Sequence, residues 1–162
     1  MKKTQKKLGN KGFSLVELIV VIAIMAVLVG VLAPTLVRNI EKSKESTDMQ
    51  TLDSIRGSVT TALSVEKVNN ALTEAGGTYT DTLSAVKAST TGFAGLLKTE
   101  LENDGVLNAE LKSKAAKKTG TADNVIVINI DDKGKVTVSV KTATTAKDNV
   151  NAKNLGQDFI VQ

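Results

Sequence analysis

The sequence contains neither cysteine nor histidine among its 162 residues. Without cysteine the chain has no disulfide framework, no thiolate nucleophile and no cysteine-ligated zinc. Without histidine it has no imidazole base, no Ser-His-Asp triad and no histidine metal ligand. A catalytic site would have to rely on carboxylates, lysine, serine or tyrosine alone. We therefore predict that the protein is not an enzyme, with no catalytic residue, no metal site and no cofactor.

Aromatic residues and proline are also scarce. The aromatic residues are Phe13, Phe93, Phe159 and Tyr79, and Pro34 is the single proline. Any hydrophobic core must therefore be built from Val, Ile, Leu and Ala side chains.

Acidic residues are missing from the first twelve residues, where positive charge is concentrated. That segment holds five lysines: Lys2, Lys3, Lys6, Lys7 and Lys11. Removing these five from the 21 basic residues leaves 16 against 17 acidic residues, so the rest of the chain has a net charge of −1. The overall charge of +4 is local to the N-terminal segment, and we predict no specific nucleic-acid partner.

A long apolar segment follows this basic start. The twenty residues from Leu18 to Val37 carry no charge, and Glu17 immediately precedes them. Twenty helical residues cover about 30 Å, which is the thickness of a bilayer core. The N-terminal lysines favour a cytoplasmic N-terminus, with everything after the apolar segment outside the membrane.

Three interpretations of this segment compete, and Glu17 separates them. A cleavable secretory signal peptide explains the basic start and the apolar run, but not a carboxylate inside it. Residues 31–33 resemble its cleavage site, although Pro34 would follow the cut. A plain membrane anchor explains the length and the flanks but gives Glu17 no role, and a carboxylate in a membrane span is costly.

The third interpretation rests on residues 11–17, which read Lys-Gly-Phe-Ser-Leu-Val-Glu. This segment, with its basic leader and uninterrupted apolar run, resembles the processing motif of type IV pilins and their relatives. The resemblance implies that a prepilin peptidase cuts after Gly12 and methylates Phe13, the new N-terminal residue. It also implies that Glu17 is the buried acid of the mature helix. We expect its carboxylate to pair with the Phe13 amine of a neighbouring subunit, because a charge in apolar surroundings needs such a partner.

The resemblance further implies a structural function, as a subunit of a type IV pilus that polymerises through its N-terminal helix. The implied partners are other copies of the chain in a helical homopolymer, the prepilin peptidase, a pilus assembly ATPase and a platform membrane protein. The precursor would lie in the inner (cytoplasmic) membrane, and the assembled pilus at the cell surface. One alternative is a pseudopilin of a type II secretion or competence (DNA-uptake) machine. Another is a membrane-anchored adhesin or enzyme with a coincidental motif.

The apolar helix of residues 13–37 is predicted to continue as an amphipathic half over residues 38–67. Its apolar positions recur at helical spacing: Met49, Leu52, Ile55 or Arg56, Val59, Ala62 and Leu63. Its opposite face is predicted to be polar: Asp48, Gln50, Asp53, Ser54, Ser58 and Thr61. A helix from residue 13 to about residue 67 would be ~80 Å long, which suits a fibre better than a globular domain.

Gly30 and Pro34 interrupt this helical pattern. Proline lacks a backbone donor and clashes with the preceding turn, so we expect a kink. A tolerated kink in a membrane helix is one explanation. The family resemblance implies another, in which the helix melts locally between Gly30 and Pro34 when a filament forms.

Residues 68–162 are predicted to form an exported head. Residues 68–79 are predicted to close with a loop, because they contain Asn69, Asn70, Gly76 and Gly77. Asp81 is predicted to cap a short helix over residues 82–89. Further helices are predicted at residues 93–103 and, more weakly, at residues 107–118.

The second half of the head has the period of β-strands. Residues 125–130 and 136–140 are rich in β-branched side chains, and the polar segment between them predicts a hairpin. Residues 158–162 could add an edge strand. The expected fold class is α+β: a long N-terminal helix, apolar then amphipathic, packed on a small antiparallel β-sheet head.

Two adjacent acids in the predicted hairpin, Asp131 and Asp132, could bind calcium. Calcium takes six or more oxygen ligands, and two acids shortly before Gly134 are more typical of an ordinary turn.

A basic cluster consists of Lys112, Lys114, Lys117 and Lys118. Because Glu110 and several alanines interleave it, we interpret it as the solvated face of a helix. Adhesion to DNA or to a surface is the alternative, although the cluster lacks the aromatic residues on which single-stranded bases stack.

Overall fold

The computed structural model describes residues 13–119, 122–142 and 160–161. The chain divides into two compact units, one ending at Asn39 and the other beginning at Ile40. The predicted leader, residues 1–12, lies outside the described residues, as do Lys118's side chain and residues 158, 159 and 162 of the predicted edge strand.

The first helix, α1, spans Leu15–Leu63. Its last turn is tightened by bonds from the Ser64 and Val65 amides to carbonyls three residues earlier, both at 3.0 Å. Val65 then adopts an extended conformation, with φ −79° and ψ 120°. The predicted end near residue 67 is therefore four residues too late.

A second helix, α2, spans Glu66–Glu74 and was not predicted. Its core-facing side chains, Val68 and Leu72, are one helical turn apart and both buried. This burial outweighs the loop signal of the two intervening asparagines. The segment ends where Gly76 and Gly77 take positive φ values of 103° and 76°, which side chains rarely adopt.

The α+β fold class is confirmed. From Ile40 onward α1 contributes a buried stripe to the core: Leu52, Ile55, Val59 and Ala62. These are the apolar positions that the helical spacing predicted, with Ile55 rather than Arg56 in the stripe. They pack in one cluster with buried side chains of the sheet and of the helices that follow.

The sheet is antiparallel, with the strand order β1-β3-β4-β5. Its longest strands are β3, Ala122–Ile130, and β4, Val136–Thr142, which form the predicted hairpin. The core-facing pairs are Ile126 with Val140, Ile128 with Val138, and Ile130 with Val136, and all six residues are buried. The remaining strands are β1 (Tyr79–Thr82), β2 (Lys118–Thr119) and β5 (Ile160–Val161).

Strand β1 was not predicted, and it changes the expected cap. Asp81 lies within β1 rather than capping a helix. The cap of the next helix, α3 (Leu83–Ala88), is Thr82, whose hydroxyl oxygen accepts the Ala85 amide at 3.1 Å. Local sequence could not reveal β1, because its partner Ile130 lies 51 positions after Tyr79.

The fourth helix, α4, spans Gly92–Asn103 and confirms the predicted helix at residues 93–103. It buries Phe93, Leu97 and Leu101 at four-residue spacing. The Phe93 ring packs edge-on against Tyr79, with the ring centroids 4.9 Å apart. Burial, with a contribution from the Asp81 carboxylate, raises the pKa of the Tyr79 hydroxyl to about 12.

Only a short helix, α5 (Lys114–Lys117), forms within the segment predicted to be helical at residues 107–118. The backbone amides just before α5 and at its first residue donate hydrogen bonds to carboxylates of α1. Asp48 accepts the Lys112 amide through Oδ1 at 2.7 Å and the Ser113 amide through Oδ2 at 2.8 Å. Glu41 accepts the Lys114 amide. We call these three contacts the carboxylate clamp.

Asp48 itself was placed on the polar face by the sequence pattern, and this was wrong. Its exposure is 0%, because it lies one turn before Leu52 on the buried stripe of α1. A buried carboxylate is tolerated there because both of its oxygens accept hydrogen bonds.

Replacing Asp48 should unfold the head more easily. We expect Asp48→Ala to lower the free energy of unfolding by about 2–4 kcal/mol, since two backbone donors lose their acceptor. Asp48→Asn, which keeps one oxygen, should cost less. The matched control is Asp53→Ala on the exposed side of α1, which removes only a solvent-exposed ion pair with Arg56 (2.8 Å) and should change the free energy of unfolding by less than about 1 kcal/mol. Urea unfolding of the full chain in detergent measures all three, and equal effects at residues 48 and 53 would contradict the clamp.

Two glycines within helices should respond in opposite directions to alanine. A Cβ at Gly95 would lie 2.7 Å from the Thr90 carbonyl carbon, so Gly95→Ala should destabilise the head by about 1–3 kcal/mol. A Cβ at Gly57 would meet nothing within 4 Å, so Gly57→Ala should stabilise α1 by about 0.5–1 kcal/mol. Thermal unfolding of both variants provides the check, and a stabilised Gly95→Ala variant would refute the close packing.

Candidate functional site

The most distinctive surface of the described chain is the apolar first half of α1. From Phe13 to Ile40, its large apolar side chains are between 47% and 91% exposed. By length and composition, α1 contains a segment able to cross a membrane, and none of that segment is buried against the rest of the chain. Such a surface requires a cover other than water.

Ser14 and Glu17 organise the N-terminal turn of this helix. The Ser14 amide donates to Glu17 Oε2 at 2.9 Å, and the Ser14 hydroxyl oxygen accepts the Val16 amide at 3.3 Å. Both contacts satisfy amides that a helix N-terminus leaves without intrahelical partners. The Glu17 carboxylate also lies where the helix dipole favours negative charge.

The contribution of Ser14 was missed by the sequence analysis, although a signal for it exists. Ser-x-x-Glu at residues 14–17 has the spacing of a capping box, in which the glutamate returns to the amide of the capping residue. The structure contains that glutamate contact. In the single chain, Glu17 therefore already has one hydrogen-bond partner.

Of the predicted site residues, Phe13 and Glu17 lie at the same N-terminal turn of α1. Phe13 is 91% exposed and lies beside the Ser14–Glu17 turn, whereas Gly12 is outside the described residues. Pairing of Glu17 with Phe13 of a second chain stays a prediction, as do cleavage after Gly12 and methylation of Phe13.

Gly30 and Pro34 both lie inside α1, which is assigned as one helix across them. A Cβ at Gly30 would meet nothing within 4 Å, so no close packing inside the chain explains this glycine. The predicted kink, and local melting between the two residues, stay predictions.

Asp131 acts in the turn between β3 and β4. Its Oδ1 accepts the Lys133 amide at 3.0 Å and the Lys135 amide at 2.7 Å, and Gly134 has a φ of 74°. This is the geometry of a turn stabilised by an aspartate side chain. Among the described residues, no group of three or more acidic side chains could hold a metal ion.

The basic cluster is not the helix face that was predicted. Lys112 precedes α5, whereas Lys114 and Lys117 are its first and last residues. All three side chains are exposed. The carboxylate clamp holds the backbone of this segment, and no carboxylate in the described ranges forms an ion pair with these three ammonium groups.

Comparison with known proteins gives one match, in the N-terminal part of the chain. Residues 7–33 match the family model of the prokaryotic N-terminal methylation motif. No curated protein and no solved structure matches the chain. The motif covers residues 12, 13 and 17, on which the resemblance was based, and most of the exposed apolar segment of α1. With its long apolar N-terminal helix, the chain fits a type IV pilin-like or prepilin-like protein.

Proposed function

We propose that the protein is a structural subunit of a type IV pilus that polymerises through the apolar half of α1. The exposed apolar surface between Phe13 and Ile40 is the observation that carries this proposal. In the precursor, lipid covers this surface. In the filament, the same surface of neighbouring subunits covers it.

Transfer from lipid to fibre gains little hydrophobic free energy, because both surroundings are apolar. Close packing and specific polar contacts must therefore determine the order of the fibre. Glu17 is the one charged side chain between Phe13 and Val37, so its pairing with a neighbour's Phe13 amine would fix the axial register between subunits.

Glu17 has one hydrogen-bond partner in the single chain and would gain a second during assembly. In the single chain its carboxylate accepts the Ser14 amide at 2.9 Å. Cleavage after Gly12 would free an ammonium group at Phe13, and a charged donor binds a carboxylate more strongly than a neutral amide does. Assembly would thus add a charged partner to a carboxylate that the capping turn already positions.

The proposal assigns the partners and the locations. A prepilin peptidase would process the chain, and an assembly ATPase with a platform membrane protein would extract it from the membrane. The precursor would be anchored in the cytoplasmic membrane, and the filament would extend from the cell surface. The proposed function is structural rather than enzymatic.

Processing can be tested by co-expressing the full chain with a prepilin peptidase. We expect a mature protein that starts at Phe13 and carries one additional methyl group, as measured by intact mass and N-terminal fragmentation. Gly12→Val should block cleavage, because a side chain hinders close approach to the scissile backbone. Gly9→Val, three residues upstream, is the matched control and should be cleaved normally. A mature start near Pro34 would instead indicate a secretory signal peptide.

Two substitutions separate the capping and pairing roles of Glu17. Glu17→Gln keeps an oxygen that can accept the Ser14 amide but removes the charge, whereas Glu17→Val removes both. We expect both to reduce filament yield by about tenfold or more, since breaking a desolvated charge pair typically costs several kcal/mol. Normal yield and register for Glu17→Gln would eliminate the charge pairing.

The readout is filament mass in sheared cell fractions, with the register measured by electron microscopy. Glu45→Gln, on the part of α1 beyond the apolar segment, serves as the matched control. Electron microscopy of wild-type cells also distinguishes the two related functions. Long surface fibres support a pilus subunit, and their absence despite correct processing would favour a pseudopilin.

A further inference from the structure

The carboxylate clamp places part of the head beside a particular stretch of α1. Asp48 holds the Lys112 and Ser113 amides at 2.7 Å and 2.8 Å, and Glu41 holds the Lys114 amide. Ser113 is buried and immediately precedes α5. Its hydroxyl oxygen accepts the Ala116 amide at 3.1 Å, in the first turn of that helix. Residues 112–114 are thus held against the portion of α1 between residues 41 and 48, and α5 continues from them to Lys117.

This stretch of α1 comes directly after the apolar segment. Glu41 follows Val37 by four residues, which is about one helical turn. The clamp therefore holds the backbone of Lys112 and Lys114 beside the start of the polar half of α1, and Lys117 follows at the end of the short helix α5. All three lysine side chains are exposed. These lysines come much later in the sequence than that stretch of α1, and the clamp is the contact that brings the backbone of residues 112 and 114 beside it.

The lysines in and around this contact outnumber the acidic side chains near them in the sequence. Asp48 is buried, and Glu41 forms an ion pair with Lys44 at 3.7 Å. The acidic side chains that remain nearby in sequence are Glu45 and Glu110. With the buried Asp48 counted as well, these three acids stand against four lysines: Lys42, Lys112, Lys114 and Lys117. The outcome is an excess of positive charge beside the first residues of α1 that belong to the second unit, which begins at Ile40.

We propose that Lys112, Lys114 and Lys117 bind the anionic phospholipid headgroups of the membrane surface before the subunit is assembled. We call these three residues the lysine collar. The proposal rests on the membrane anchoring of α1 proposed above. Headgroup phosphates attract lysines that lie within a Debye length of the surface. Docking of the collar would hold the head against the membrane, and the contact would be lost when the subunit is extracted.

A membrane surface fits the collar better than a nucleic acid does. Nucleic-acid binding would place the phosphate backbone along a longer basic stripe, often with aromatic side chains for stacking. No aromatic residue lies between residues 94 and 158, and only three collar lysines are available. A headgroup layer requires neither stacking nor sequence readout.

The test uses the full chain reconstituted into vesicles of neutral phosphatidylcholine or of phosphatidylcholine with phosphatidylglycerol. Flotation first establishes that α1 inserts into both. Acetylation of lysine amines, measured by mass spectrometry, then reports the accessibility of each side chain. We expect the labelling rate of the collar lysines to fall about fivefold in the anionic vesicles and to recover at high salt. Lys67 on α2 and Lys133 in the β3–β4 turn are exposed internal references that should not change.

Variants distinguish docking that requires several collar lysines together from a general effect of the vesicle charge on the acetylating reagent. In Lys112→Gln/Lys114→Gln, the protection of Lys117 should be lost. Lys112→Arg/Lys114→Arg should restore it, because arginine keeps the charge and is not acetylated. The matched control, Lys67→Gln/Lys133→Gln, should leave the protection of Lys117 intact. The clamp uses the backbone amides of residues 112 and 114, so all of these variants retain it.

Several results would overturn the proposal. Equal labelling of the collar in neutral and anionic vesicles, after normal flotation, would refute docking while leaving membrane anchoring untouched. Equal protection of Lys67, Lys133 and the collar would show a general surface effect. Protection by duplex DNA but not by anionic vesicles would assign the collar to nucleic acid. Failure to float with either vesicle would refute the anchoring itself and the docking with it.

Discussion

The apolar side chains of α1 between Phe13 and Ile40 need a cover that the described part of the chain does not supply. Water is a poor solvent for this surface, and removing it from water is the main driving force available to the subunit. Lipid and copies of the same helix both meet the requirement. In the proposed filament, the choice between them would depend on packing and on the few polar groups present, among which Glu17 is the only charged side chain between Phe13 and Val37.

The second half of the same helix is covered by the chain itself. From Ile40 onward α1 is part of a folded unit, and its stripe from Leu52 to Ala62 is buried with the sheet. Asp48 lies at the start of this stripe, where a carboxylate replaces an aliphatic side chain and binds two amides of a distant loop. Along α1, the clamp residues Glu41 and Asp48 therefore come at the start of the folded unit, before the buried stripe.

Features with a local period could be predicted from the sequence. Helix α4, the β3–β4 hairpin and the buried stripe of α1 each carry their pattern within one segment. Features that depend on distant partners could not. Asp48 looks like any polar helix residue until its partners, 64 and 65 positions away, are known. Ser14 is different, because the capping-box spacing that links it to Glu17 was visible in the sequence but was not used. The pairing of Glu17 with Phe13 involves two chains, so one chain can only suggest it.

The carboxylate clamp also has a mechanical consequence. Besides the packing of its buried stripe, α1 is connected to the rest of the folded unit by the covalent chain that continues after Leu63 and by the bonds that Glu41 and Asp48 make to residues 112–114. These bonds lie some fifteen residues or more earlier along the helix than Leu63, a separation of about 22 Å at 1.5 Å per residue. A pull on the N-terminal part of α1 would therefore reach these amides before it reaches the end of α1, so the clamp would share the load at the point where α1 enters the folded unit.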